Sequence, residues 1–165
     1  MKFVSIIMGS KSDYEIVNEA AKVLEKFEVS YELIISSAHR SPKRTSEYVS
    51  SAESRGAQVF IAAAGMAAHL AGAIAANTTR PVIGIPMGGS SLSGVDALYS
   101  TVQMPAGMPV GTVAIGKAGA VNAAYLALQI LALNDSSLDE SLRADREAKA
   151  KAVEEDSKKV EVLLA

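Results

Sequence analysis

Lys2-Phe3-Val4-Ser5-Ile6-Ile7-Met8 runs directly into Gly9-Ser10-Lys11-Ser12-Asp13, after which Ile16, Ala20, Val23 and Leu24 recur at helical spacing. A continuous apolar run rich in Val and Ile is the mark of a strand covered on both faces. A short Gly/Ser turn leading to an amphipathic helix makes this a β-turn-α unit. The pattern then repeats. Ser30–Ser36 reads as a second strand, Ser37-Ala38-His39-Arg40-Ser41-Pro42 as a second loop, and a helix opened by Pro42 runs to Arg55, where Gly56 stops it. Gln58–Ala63 is a third strand, Gly65-Met66-Ala67-Ala68-His69-Leu70 a third loop, and Ala67–Asn77 a third helix. Pro81–Ile85 and Thr112–Ile115 are expected as strands four and five, with a short helix over Asp96–Met104 between them. Ala118–Leu133 is apolar nearly all round, which predicts a buried helix. Asp135–Ser137 can cap a last, charged helix reaching about Leu163.

Strands alternating with helices demand crossover connections and a mainly parallel sheet. The expectation is one domain over residues 1–165, a three-layer α/β/α fold of flavodoxin/Rossmann-like type with a C-terminal helical extension. Ligands of such sheets bind beyond the carboxyl ends of the strands.

Composition narrows the function. The 165 residues contain no Cys, which excludes disulfides, thiolate metal sites and a Cys nucleophile and fits a reducing compartment. A formal net charge of −2 lacks the basic footprint of a nucleic-acid binder, so no nucleic-acid partner is expected. The apolar stretch Val110–Leu133 is broken by Lys117, Asn122 and Gln129, so no membrane span is expected. Met1-Lys2-Phe3-Val4 carries no signal-peptide pattern, and a cytoplasmic protein is expected. The two histidines lie 30 positions apart without Cys or paired carboxylates, so no metal site is expected.

Charge is unevenly placed. Residues 135–165 carry nine acidic and six basic side chains, whereas residues 56–134 hold only Arg80, Asp96 and Lys117. A stretch so poor in charge does not make an ordinary solvated surface, which points to burial under other elements or against other subunits. Homo-oligomerisation is the expectation.

Chemistry concentrates in the three strand-to-helix loops, which a parallel sheet brings to one edge. Both histidines of the chain, His39 and His69, fall there. Ser10, Ser12 and Asp13 open the first helix, where backbone N–H groups attract an anion; the alternative is that Ser12 or Asp13 caps the helix. Arg40 offers a planar fork of donors for phosphate or carboxylate, and an imidazole at His39 suits proton transfer. The alternative there is a solvated loop capped by Ser41. At the third loop small residues admit close approach to a ligand, while His69 is equally compatible with backbone contacts at a crowded helix start. Met87-Gly88-Gly89-Ser90-Ser91-Leu92-Ser93 has the composition of a lid, the alternative being a plain surface connection, and Gln103-Met104-Pro105-Ala106-Gly107-Met108-Pro109 suits a pocket wall or a subunit contact, of which the second is preferred.

Gly9–Asp13, Ser37–Pro42, Ala67-Ala68-His69-Leu70, Val102-Gln103-Met104-Pro105 and Gly116-Lys117-Ala118-Gly119-Ala120 occur in this order. Together they resemble the PurE-type N5-carboxyaminoimidazole ribonucleotide mutase family over most of residues 3–134. The resemblance implies transfer of a carboxylate from the exocyclic amine of an imidazole ribonucleotide to ring carbon 4, with no metal or organic cofactor. It implies decarboxylation and recapture of carbon dioxide, with His39 as proton shuttle and His69 lining the carboxylate pocket. Ser10, Ser12, Asp13, Ser37, Ala38, Arg40, Gly65, Ala68 and Leu70 would bind the substrate, Asp13 at the ribose and Arg40 with Ser37 or Ser12 at the phosphate. A homo-octamer whose C-terminal helix reaches a neighbour is also implied.

The sequence departs from the family pattern at Met66, where Gly is common, at Ala71, where Pro is common, and at Ser41, where Thr is common. A positive φ at the second position of the third loop would strain Met66. A sister class carboxylates aminoimidazole ribonucleotide directly; Arg40 and the Ala67–Leu70 run resemble the mutase class instead. A non-catalytic nucleotide-binding module and an interaction protein built on the apolar middle are the readings outside this chemistry.

Overall fold

The computed structural model describes residues 2–164; Met1 and Ala165, the ends of the expected domain, lie outside the described residues. Five strands, β1 (Phe3–Met8), β2 (Tyr31–Ile35), β3 (Ala57–Gly65), β4 (Val82–Met87) and β5 (Gly111–Thr112), form one sheet in the order β2-β1-β3-β4-β5. Every pairing is parallel. The helices are α1 (Tyr14–Lys26), α2 (Pro42–Arg55), α3 (Leu70–Ala75), α4 (Val95–Val102), α5 (Lys117–Ala132) and α6 (Ser136–Val160). The expected α/β/α fold and its C-terminal helical extension are therefore present.

The pleat explains the layers. Alternate residues of a strand face opposite sides, so Val4, Ile6 and Met8 join Val59, Ile61 and Ala63 under α1 and α5. Phe3 and Ile7 face the other way with Phe60 and Ala62, under α2 and α3. All six residues of β1 are buried, as a central strand requires. α1 buries Val17, Ala20, Ala21 and Leu24, with Ile16 and Val23 packed beside them. On α5 one side is buried through Ala120, Ala123, Ala124, Ala127 and Leu128. α6 docks Leu138 and Leu142 against that core, and Asp135 caps it by accepting from Leu138 N at 3.1 Å.

Gly56 ends α2 in the left-handed region (φ 111°), its N–H returning to the carbonyls of Ala52 and Glu53. Gly84 has a packing role instead: a Cβ there would overlap Thr101 Cγ2 of α4 and come within 3.1 Å of Val110 Cγ1.

Three boundaries move by three residues from the sequence reading, and the others by two at most. α3 starts at Leu70 instead of Ala67, because Met66 takes φ 59° and Ala68 N turns back to Met66 O at 2.9 Å. β5 is two residues long, since beyond Thr112 the edge keeps only Val113 N to Gly84 O and Gly116 N to Pro86 O. α6 ends at Val160 instead of Leu163. The charge-poor middle is only partly buried: Leu92, Val95, Tyr99 and Val102 stand exposed on and beside α4. Among the described residues no helix is long and apolar enough to cross a membrane.

Candidate active site

The strand order makes β2, β1 and β3 neighbours, so the loops that follow them meet at one edge of the sheet. They enclose a cavity of about 590 Å³. Ser10, Ser12, Asp13, Ser37, Ala38, His39, Arg40, Gly65, His69 and Leu70, all expected from the sequence, line it. Ala68 does not: it is buried beneath the third loop, and its N–H is held by Met66 O.

The first loop is ordered by its own hydroxyls. Ser10 Oγ accepts from Ser12 N at 3.3 Å and from Ser12 Oγ at 2.9 Å. Ser10 therefore caps the single 3₁₀ turn Lys11–Asp13, and the Asp13 carboxylate makes no capping bond to α1. Burial pushes the Asp13 carboxyl above its usual range, against the pull of the Ser12 hydroxyl. A half-buried carboxylate released from helix capping is available to accept from ligand hydroxyls.

The second loop is closed by Ser37 and Ser41. Ser41 Oγ donates to Ser37 O at 3.0 Å and accepts from Ser37 N at 3.1 Å, while Arg40 N donates to Ser37 Oγ at 3.1 Å. Ser41 makes no side-chain cap to α2; it braces the loop instead. The Arg40 side chain crosses to the first loop and donates from Nη2 to Gly9 O at 3.1 Å. The His39 and His69 rings lie 5.3 Å apart between centroids, tilted by 56°. Two imidazoles and a guanidinium thus share one cleft.

Several residues of the site come from further along the chain. Met87 and Gly89 close the cavity from the end of β4; the lid-like composition of their loop was its only signal. That loop is itself laced by Ser90, whose Oγ donates to Asp96 Oδ1 at 2.7 Å and accepts from Leu92 N at 3.2 Å. Met104, expected at a subunit contact, packs within the chain over α3: a Cβ on Gly72 would sit 3.3 Å from its Sδ and 3.9 Å from His69 Cδ2. No spacing rule points to that contact.

A cleft beyond the carboxyl ends of parallel strands, carrying a guanidinium, a carboxylate, hydroxyls and two imidazoles, defines an α/β protein built to hold a small anionic ligand. A family model described as "AIR carboxylase" matches residues 3–152. N5-carboxyaminoimidazole ribonucleotide mutase of Escherichia coli strain K12 is 53% identical over 150 residues, covering 91% of this chain and 89% of the relative. That of Pyrococcus abyssi is 54% identical over 147 residues, covering 89% and 83%. The crystal structure of Treponema denticola PurE superimposes with a TM-score of 0.89 at 29% identity, covering 98% of this chain and 100% of that one. The chain belongs to the AIR carboxylase family.

Proposed function

We propose that this enzyme converts N5-carboxyaminoimidazole ribonucleotide to 4-carboxy-5-aminoimidazole ribonucleotide, an isomerisation of purine biosynthesis. The observation that carries the reading is the placement of His39 next to Arg40 in one cavity with His69, in a chain about half identical to relatives bearing the mutase name.

Arg40 and the Ser10–Asp13 loop supply what a ribonucleotide needs. The guanidinium pairs with the phosphate, assisted by Ser12 or Ser37, and Asp13 accepts from ribose hydroxyls. That orientation puts the heterocycle toward His39 and His69. In the first half-reaction the N–carboxylate bond breaks, carbon dioxide departs, and the imidazolium of His39 gives its proton to the amine nitrogen. In the second, ring carbon 4 attacks carbon dioxide, and the neutral imidazole takes the proton that carbon releases. One proton is lent and recovered, so His39 ends as it began. His69 lines the carboxylate pocket. Carbon dioxide has to be kept from solvent between the halves.

A cytoplasmic homo-octamer accompanies this reading. Support for an assembly comes from the apolar Leu92, Val95, Tyr99 and Val102, each more than 40% exposed on the single chain.

The test compares two substrates by ultraviolet absorbance: N5-carboxyaminoimidazole ribonucleotide without bicarbonate, and aminoimidazole ribonucleotide with carbon dioxide. Fast conversion of the first alone is expected. Conversion of the second alone would make the enzyme a direct carboxylase. With neither converted, a nucleotide-binding module would replace catalysis.

A further inference from the structure

Met66 breaks two local rules at once. It holds φ 59°, a left-handed backbone that disfavours a non-glycine residue. It is also 67% exposed, whereas Met8 and Met87 are 2% and 3% exposed. An exposed apolar side chain on an unfavourable backbone gains nothing for folding, and it stands on the wall of the active-site cavity. Departures of this kind concentrate at functional positions.

The cavity lacks something that Met66 can supply. Among the described residues no Phe, Tyr or Trp lines it, so the rings that this chain offers a planar heterocycle there are those of His39 and His69, which the proposed reaction uses. The polar groups for phosphate and ribose lie on the first two loops. Met66 lies on the third, which also brings His69 to the cavity, on a turn held by the bond from Ala68 N to Met66 O. A thioether is flexible and polarizable and packs well on an aromatic ring.

We infer that Met66 is a specificity-determining residue whose thioether folds over the imidazole ring of the bound ribonucleotide and covers it from solvent. This rests on the ribonucleotide reading above.

The test is peroxide oxidation of the full chain, with Met66 sulfoxide followed by peptide mass spectrometry. Free enzyme should oxidise Met66 faster than Met8 or Met87. Saturating 4-carboxy-5-aminoimidazole ribonucleotide should slow Met66 oxidation about fivefold or more, and ribose 5-phosphate, which lacks the ring, should not. Met66→Gly, which relaxes the backbone, should keep its folding stability but weaken ribonucleotide binding about three- to tenfold. Calorimetric binding of the ribonucleotide with unchanged Met66 oxidation, equal protection by both ligands, or unaltered affinity in Met66→Gly would each overturn the inference while leaving the proposed function intact. No calorimetric binding of the ribonucleotide at all would overturn the proposed function, and the inference with it.

Discussion

Arg40 Nη2 donates to the carbonyl oxygen of Gly9 at 3.1 Å, so a side chain from the loop after β2 is tied to the loop after β1. The bond holds the guanidinium at the cavity rim with further N–H groups free to meet an anion. Lysine has the charge but not the fork. Arg40→Lys is expected to raise KM about 10-fold or more, and Arg40→Ala by up to about 100-fold, the range for losing a charged hydrogen bond. Steady-state kinetics check this; an unchanged KM in Arg40→Ala would remove Arg40 from phosphate binding.

His39→Asn keeps a polar side chain of similar reach but cannot shuttle a proton. Its kcat should fall about 100- to 10,000-fold, with ribonucleotide affinity within about threefold of wild type. Calorimetry alongside the product assay separates the two. Near wild-type turnover would take His39 out of the mechanism.

A partly buried polar network braces α2, the helix that follows the Arg40 loop. The Tyr48 hydroxyl donates to Glu32 Oε2 at 2.9 Å, so its contact with fully buried Ser5 Oγ, also 2.9 Å, has Ser5 as donor. Arg55 pairs with the same carboxylate. Tyr48→Phe strands the Ser5 hydroxyl and should cost about 1–3 kcal/mol, and adding Ser5→Ala should recover part of the loss. Burial, with the Glu32 carboxylate adding to it, pushes the Tyr48 phenol up to about 12. The unfolded phenol ionises near pH 10, so this contribution is present below pH 10 and is lost between about pH 10 and 12. Urea unfolding across that window should show a larger loss in wild type than in Tyr48→Phe.

Asp145 ties α6 to the body. Its side chain is 8% exposed, and it accepts from Lys26 of α1, from Lys149 at 2.8 Å and from Tyr125 of α5 at 2.8 Å. Burial opposes its charge, but the hydrogen bonds from Lys149, Lys26 and Tyr125 prevail and hold the carboxyl well below the usual range. A depressed carboxyl contributes stability above its unfolded pKa, about 4, and loses it as pH falls below that. Asp145→Asn should cost about 1–2 kcal/mol at pH 7, a figure discounted because both lysines are mostly exposed. Urea unfolding should show the gap to wild type narrowing between about pH 4 and pH 2.

Much of the architecture was legible in the residues. The unbroken apolar run of β1, the stop at Gly56 and the helical spacing of α1 are local facts, and local periodicity reports which faces are buried. The site was legible wherever it lay just after a strand, because a parallel sheet brings such loops to one edge. Ala67 lines the cavity while its neighbour Ala68 is buried away from it, a division the residues could not announce because loop side chains follow no period. The Ala67–His69 segment was read as helix because its alanines suit one; the left-handed turn at Met66 delays the start.

By itself, then, the sequence determined the alternation of strands and helices, the three polar loops and the family they resemble, since each depends on neighbours along the chain. Only the tertiary structure decided that Arg40 would reach Gly9, that His39 and His69 would lie 5.3 Å apart, and that Met87 and Gly89 would close the site. Those contacts depend on strand order and on how helices pack across the sheet, which join residues far apart in sequence and leave no spacing by which to recognise them.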